Sequence, residues 1–180
     1  MKILVTNDDS ISAAQLIPLV KWCQKLGEVT VIVPKVEQSG KSQGIELHKP
    51  FEVVPVDLLP GVTAYTVDST PADCIRYAMF GLKLEVDLVI SGINRGFNMG
   101  GDIMYSGTAG AVFEAVSLGV KAIAVSTGPE FYDRATEPLD QVLEFFLKHD
   151  LMSKCDLYNV NVVPDAKGIR ITHQGGHFYS

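Results

Sequence analysis

The sequence has little of what defines several large classes of protein: few cysteines, no long apolar run and no excess of positive charge. Its three cysteines (Cys23, Cys74 and Cys155) are far apart and form no C-x-x-C pair, which argues against a disulfide framework or a thiolate zinc site. No run approaches the ~20 apolar residues that cross a bilayer, and the acidic Asp8 comes too early for a signal peptide. We therefore expect a cytoplasmic protein with no membrane partner.

The charge balance restricts the partners of the chain. It has 15 basic residues against 21 acidic ones, a formal net charge of −6 at pH 7. Non-specific binding to nucleic acid depends on Lys and Arg that neutralise phosphates, so a nucleic acid polymer is not an expected partner. A ligand that carries phosphate would have to be held by a metal or by backbone N–H groups. With 47% hydrophobic and 20% charged residues, the composition is that of a folded globular protein.

Several well-defined site motifs are also missing. Gly40-Lys41-Ser42 resembles the end of a P-loop, but position 35, where that motif needs glycine, is Lys35. No G-x-G-x-x-G follows the first predicted strand, which argues against dinucleotide binding, and no G-x-S-x-G nucleophile elbow is present. The histidines have no zinc-type spacing, and we interpret His173 and His177 as part of a solvated tail.

What is present is an alternation of apolar strands and amphipathic helices. Residues 3–5 and 29–33 are β-branched runs, and between them apolar residues recur at helical spacing over 16–26. This βαβ unit predicts a parallel sheet. We predict further strands over residues 45–47, 51–56, 62–67, 86–91, 122–126, 158–163 and 168–172, and helices over 70–81, 108–118 and 136–148. The fold class is therefore α/β: a three-layer α/β/α Rossmann-like domain with a mostly parallel sheet and an added β-hairpin region.

Three polar loops follow the carboxyl ends of predicted strands, where open parallel sheets bind ligands: residues 7–12, 35–44 and 92–107. The first contains Asp8 and Asp9, adjacent carboxylates whose repulsion a divalent cation would neutralise. The pair alone leaves open whether a metal binds or whether one aspartate caps the following helix.

The other two loops contain neutral oxygen donors. The glycine-rich third loop offers the amides of Asn94 and Asn98, and the second offers the hydroxyl of Ser39. Residues 105–110 open a helix whose N–H groups could bind an anion, although Ser106 or Thr108 could serve only as caps. Carboxylate, hydroxyl and amide oxygens favour Mg²⁺, Mn²⁺ or Ca²⁺ over zinc.

These segments together resemble the SurE (stationary-phase survival protein) family of metal-dependent nucleotidases. The resemblance spans nearly the whole chain and includes ILVTNDD at 3–9, EQSG at 37–40, TPADC at 70–74, SGINRG at 91–96, NMG at 98–100 and YSGT at 105–108. It implies one divalent metal held by Asp8, Asp9, Ser39 and Asn94, with the two aspartates as catalytic residues. It also implies contacts to the substrate phosphate from Asn94, Asn98, Ser106, Gly107 and Thr108. A homodimer or homotetramer is implied as well.

Two departures from the family pattern stand out. Ser10 follows the aspartate pair where the family typically has glycine. If this position needs a positive φ, serine costs about 1 kcal/mol or more relative to glycine. The sequence also stops soon after Thr172, where family members continue, so we expect one domain over 1–180 that lacks the family's C-terminal arm.

Our leading hypothesis is a metal-dependent phosphomonoesterase that acts on nucleoside 5′-monophosphates, and on 3′-monophosphates in addition. A second enzyme hypothesis is a phosphotransferase with an aspartyl nucleophile. A non-enzyme hypothesis is a nucleotide- or metal-binding module with weak or no turnover, because of the altered loop after Asp9 and the missing C-terminal part.

Overall fold

A computed structural model describes residues 1–175 of the 180, so His177 lies outside the described residues. The strands are β1 (Lys2–Thr6), β2 (Glu28–Pro34), β3 (Val53–Pro55), β4 (Thr63–Val67), β5 (Leu88–Arg95), β6 (Lys121–Thr127) and β7 (Leu157–Val162). The α-helices are α1 (Leu16–Cys23), α2 (Pro71–Arg76), α3 (Gly107–Ser117), α4 (Leu139–His149) and α5 (Leu151–Lys154). A π-helical turn (Tyr77–Gly81) extends α2, and 3₁₀ turns cover Gly100–Tyr105 and Pro129–Arg134.

The strands form one seven-stranded sheet in the order β3-β4-β2-β1-β5-β6-β7. Every pairing is parallel except that of β3 with β4, which is antiparallel and forms the edge. The predicted α/β class, with a mostly parallel sheet and an added hairpin, is confirmed. Pro55 ends the edge strand, where a missing N–H breaks no central ladder.

Helices cover both faces of the sheet because the central strands are apolar on both sides. Ile3 and Val5 of β1 pack in one core cluster together with α1, whereas Leu4 points to the opposite cluster, together with α2 and α3. A strand that is buried on both faces needs a near-continuous apolar run, which β1 and β2 supply. The carboxyl ends of β1, β2, β5 and β6 are thereby brought to one edge of the sheet.

The predicted start of α2 is confirmed in detail. The side chain of Thr70 accepts a hydrogen bond from the Asp73 N–H at 3.1 Å, and Pro71 is the first helical residue. Asp73 has a second role, because its Oδ2 accepts the N–H of Glu46 at 2.9 Å. This contact holds the loop after β2 against α2.

Two predicted strands are wrong, and β5 extends beyond its predicted end at residue 91. Residues 45–47 form no strand, since the Glu46 N–H bonds to a side chain rather than to a neighbouring strand. Residues 168–172 are also non-strand and exposed, with no neighbouring strand to pair their backbone. β5 continues through a bulge to Arg95, so the glycine-rich loop begins later than the sequence indicates.

The loop after β2 crosses α3 in close contact. The Ser42 N–H donates to the Tyr105 carbonyl at 3.0 Å, and the Gln43 amide donates to the Glu114 carboxylate at 2.8 Å. Gly110 permits this approach, because a Cβ at that position would lie 2.0 Å from the Ser42 carbonyl oxygen. The position of Ser39 in the same loop therefore depends on a glycine in a helix.

Within residues 1–175, no helix combines the length and apolarity needed to cross a bilayer.

We predict that Gly110→Ala destabilises the protein by about 1–3 kcal/mol. Alanine has a higher helix propensity than glycine, but its Cβ can be accommodated only if the backbone of the crossing loop moves away. Urea denaturation followed by circular dichroism measures the change in the free energy of unfolding. Gly168→Ala is the matched control and should be nearly neutral, because a Cβ at that position meets no atom within 4 Å. Equal stability of the Gly110→Ala variant and the parent would contradict the prediction.

Candidate active site

A cleft of about 560 Å³ lies at the carboxyl edge of the sheet. It is lined by residues from the ends of several strands and from the α3 start: Asp8, Asp9, Ser12, Ala13, Ala14, Glu37, Ser39, Gly40, Asn94, Arg95, Asn98, Asp102, Tyr105, Ser106 and Tyr132. All three loops selected from the sequence contribute, and so does the turn after β6. The expectation that ligand groups gather at this edge agrees with the geometry.

Asp8 is the most buried carboxylate of the cleft, with 4% of its surface exposed. Its Oδ1 accepts the Thr108 hydroxyl at 2.5 Å, and the Thr108 backbone N–H also stabilises the charged form. Burial is the stronger effect and raises the pKa of Asp8 to about 6. Gly107 makes this proximity possible, since a Cβ there would lie 2.9 Å from the Asp8 Cβ.

Asp9 is only partly buried and faces the cleft. Its Oδ2 accepts the backbone N–H of Arg95 at 3.2 Å. Burial raises the pKa of Asp9 above its usual value, and the charge of Glu37 adds to that effect. Neither aspartate caps α1, whose N-cap residue is Gln15. The capping alternative for the aspartate pair is therefore not what the structure shows.

Ser39 and Asn94 line the same cleft. The Ser39 hydroxyl donates to the Glu37 carboxylate at 2.6 Å, so the lone pairs of its Oγ remain free to bind a cation. The Asn94 amide nitrogen donates to the Gly96 carbonyl at 2.8 Å, and this bond leaves the side-chain oxygen Oδ1 for a ligand. The structure thus brings all four predicted metal ligands to one cleft.

The donor set fits a hard divalent cation. Its members are two carboxylates, one hydroxyl and one amide, all of them oxygen ligands. Within residues 1–175 there is no group of three His, Cys, Asp or Glu side chains that could hold a metal, so a site here would need the neutral donors too. A cation bound beside Asp8 would lower the raised pKa of that carboxylate.

The residues predicted for phosphate binding fall into two places. Ser106 lines the cleft while its side chain caps α3 by accepting the Ala109 N–H at 3.1 Å, so both predicted roles are compatible. Asn98 also lines the cleft, and its amide nitrogen donates to the Ser126 hydroxyl at 2.8 Å. Gly107 and Thr108 instead pack against Asp8 and are buried.

Sequence reasoning missed the residues that hold Asn98 in place. The Asn98 N–H donates to the Asn161 side chain at 2.9 Å, and the amides of Asn159 and Asn161 each donate to the Asn98 carbonyl at 2.9 Å. Tyr132, in the turn after β6, was missed as well. The sequence does indicate that the segments after β6 and β7 belong to this edge, because both are parallel strands whose carboxyl ends reach it.

Ser10 adopts a positive φ of 75°, the conformation that favours glycine. Ser10 therefore has the positive φ at which serine is less favourable than glycine, and the backbone at this position is strained. Two hydrogen bonds offset part of it. The Asn7 amide donates to the Ser10 carbonyl at 2.9 Å, and the Ser10 and Ser12 hydroxyls lie 2.9 Å apart.

Comparison with known proteins gives one consistent family. A family model described as "Survival protein SurE" matches residues 3–180. A relative from Clostridium beijerinckii named 5′-nucleotidase SurE is 38% identical over 99% of this chain and 75% of its own length. A relative of the same name from Acinetobacter baumannii is 40% identical over 97% of this chain and 71% of its own length. The crystal structure of the SurE protein from Aquifex aeolicus superposes with a TM-score of 0.83 at 29% identity, covering all of this chain and 75% of that one.

We predict that Asp8→Asn stabilises the metal-free protein, and that the gain depends on pH. Because the pKa of Asp8 is about 6 in the folded protein and 3.8 for an unburied aspartate, the parent loses stability as pH rises between these values. Asparagine still accepts from Thr108 but carries no charge, so the gain should be absent below pH 4 and reach about 3 kcal/mol above pH 6.

Urea denaturation in EDTA at several pH values measures this difference. Asp133→Asn, at an exposed position, is the control and should show no such dependence. Parallel pH profiles for Asp8→Asn and the parent would show that burial of the Asp8 charge costs nothing.

Proposed function

The chain belongs to the SurE family, and from that premise we propose that it is a metal-dependent phosphomonoesterase. Its substrates would be nucleoside 5′-monophosphates, with 3′-monophosphates as a second group, cleaved to nucleoside and phosphate. The observation that carries the proposal is the gathering of Asp8, Asp9, Ser39 and Asn94 around one cleft. The names of the two curated relatives support the same activity.

In this proposal Asp8, Asp9, Ser39 and Asn94 hold one divalent ion, Mg²⁺ or Mn²⁺, with Ca²⁺ as a third oxygen-binding candidate. The ion would polarise the phosphoryl oxygens and lower the pKa of an attacking water. Thr108 orients Asp8 through its hydroxyl. Asp9 is the more accessible proton acceptor of the two, because it is only partly buried, whereas Asp8 is buried and accepts the Thr108 hydroxyl.

The remaining polar groups of the cleft would bind the phosphate. Ser106 lines the cleft at the start of the eleven-residue helix α3, where the positive end of the helix dipole favours an anion. Asn98, fixed by the asparagines of β7, lines the same cleft. These neutral donors suit a chain whose net charge is −6.

A nucleotide, rather than any phosphate ester, is supported by an aromatic ring at the cleft. Tyr105 lines the cleft and is 65% exposed, although its backbone carbonyl is fixed by the Ser42 N–H. An exposed ring on a fixed backbone can stack on a nucleobase.

We further propose that the protein is a single-domain chain that forms a homodimer or homotetramer. A homodimer or homotetramer is compatible with the edge strands β3 and β7, each of which pairs on one side only among the described residues. One continuous sheet, whose first strand begins at Lys2 and whose last ends at Val162, supports a single domain. We also propose a cytoplasmic location, with which the lack of a disulfide among the three cysteines of residues 1–175 is compatible.

We predict that Asp8→Asn lowers phosphate release from nucleoside monophosphates on the order of 100-fold or more in saturating Mg²⁺ or Mn²⁺, because the metal loses its most buried ligand. A colorimetric phosphate assay over a panel of nucleotides measures the loss, and EDTA should abolish the parent activity. Asp133→Asn serves as the control with unchanged activity. Full activity of the Asp8→Asn variant would contradict the mechanism.

Two further experiments, trapping with beryllium fluoride and calorimetry, separate the two alternative hypotheses. With an aspartyl nucleophile, beryllium fluoride would form a stable adduct on Asp9, the aspartate that is open to the cleft, whereas hydrolysis by water requires no such adduct. A binding module would bind nucleotides in calorimetry while releasing no phosphate.

For substrate choice, we predict that Tyr105→Ala raises KM for adenosine 5′-monophosphate by about fivefold or more, because stacking on the base is lost. KM for ribose 5-phosphate, which has no base, should stay unchanged. Tyr105→Phe keeps the ring and should behave as the parent. An equal rise in KM for both substrates would place Tyr105 outside base recognition.

A further inference from the structure

The candidate cleft is acidic except for one side chain. Of its lining residues within the described part of the chain, Asp8, Asp9, Glu37 and Asp102 are carboxylates, and Arg95 alone is basic. A phosphate dianion that enters such a cleft meets repulsion from the carboxylates that the metal does not neutralise. The single guanidinium is therefore the one side chain in the lining with a charge opposite to that of the substrate.

Arg95 is held by an aromatic ring rather than by a carboxylate. Its guanidinium carbon lies 5.9 Å from the centroid of the Tyr132 ring, within the range of a cation–π contact. Tyr132 is itself well packed, with 8% of its surface exposed. The ring is thus a rigid platform in the cleft wall.

The donors of Arg95 are available for a ligand. Within residues 1–175 its guanidinium makes no ion pair with any carboxylate, unlike Arg76 and Arg134, which are both paired. Its contact with Asp9 is made by the backbone N–H, which places the residue next to the proposed metal ligand without using the side chain. A planar guanidinium with unpaired donors matches the geometry of a phosphoryl group.

We propose that Arg95 binds the phosphoryl group of the substrate, and that Tyr132 positions the guanidinium for that contact. The inference rests on the proposed phosphatase function for the identity of the substrate. The anion-binding role of Arg95 can nevertheless be measured without turnover. Tyr132 acts here as a positioning residue, through its ring face and not through its hydroxyl.

The test compares Arg95→Ala with the parent in saturating Mg²⁺. Steady-state kinetics gives KM and kcat for adenosine 5′-monophosphate, and calorimetry gives the Kd of inorganic phosphate. Both KM and Kd should rise about 10- to 100-fold, the loss expected for a hydrogen-bonded charge pair. Arg95→Lys keeps the charge without the planar fork and should be intermediate. Every substitution at this position keeps the backbone N–H to Asp9, so the Mg²⁺ affinity should stay as in the parent.

Three further variants control the interpretation. Tyr132→Phe keeps the ring and should match the parent, whereas Tyr132→Leu removes the platform and should raise the phosphate Kd by a smaller factor than Arg95→Ala. Arg170→Ala removes an equal charge from an exposed position outside the cleft and should leave both quantities unchanged. Thermal unfolding of each variant verifies that it is folded.

The two proposals fail in different ways. Nucleotide hydrolysis by the parent with KM and phosphate Kd of Arg95→Ala within twofold of the parent values would overturn the role of Arg95 and leave the proposed function standing. A parent that hydrolyses no nucleotide, but whose phosphate binding is weakened by Arg95→Ala, would overturn the proposed function and leave the anion site standing. A parent that binds no phosphate in Mg²⁺ would overturn the Arg95 proposal directly.

Discussion

A carboxylate buried at the end of a central strand is the constraint on which the site depends. Asp8 cannot leave its position, because β1 is paired on both sides, by β2 and β5. Its charge is removed from water, and the hydrogen bond from Thr108 offsets only part of the cost, so the pKa of Asp8 is raised to about 6. A protein that keeps such a group gains from a cation beside it. Asp9, Ser39 and Asn94 supply the oxygens that would complete that cation's shell.

The close packing around Asp8 extends outward through two glycines of α3. Gly107 lets the helix start approach Asp8, and Gly110, one turn later, lets the loop after β2 cross the helix. That loop carries Ser39 and is tied to α3 and α2 by the contacts of Gln43 and Glu46. Packing and chemistry are therefore linked. The residues that bring α3, β1 and the crossing loop together also set where the ligand oxygens meet.

Most of the fold could be predicted from the sequence, because the strands of the central sheet are apolar on both faces and the start of α2 has its own cap in Thr70. The strand-end argument located Asp8, Asp9 and Asn94, because parallel strands place their carboxyl ends together. The same argument covers the ends of β6 and β7, but it does not assign roles to Tyr132 and the asparagines of β7, since those roles come from side-chain contacts between elements distant along the chain. The wrong strand at residues 45–47 has a similar cause, as its backbone N–H bonds to Asp73 of α2.

The central claim is that one divalent ion binds among Asp8, Asp9, Ser39 and Asn94. Anomalous diffraction from crystals grown with Mn²⁺ tests it most directly, because the signal locates the ion without assumptions about activity. We expect one strong peak in the cleft, with oxygens of both aspartates in its coordination shell and Ser39 and Asn94 as its neutral ligands. A peak coordinated instead by Glu37 and Asp102, or crystals with no peak in the cleft at saturating Mn²⁺, would contradict the account.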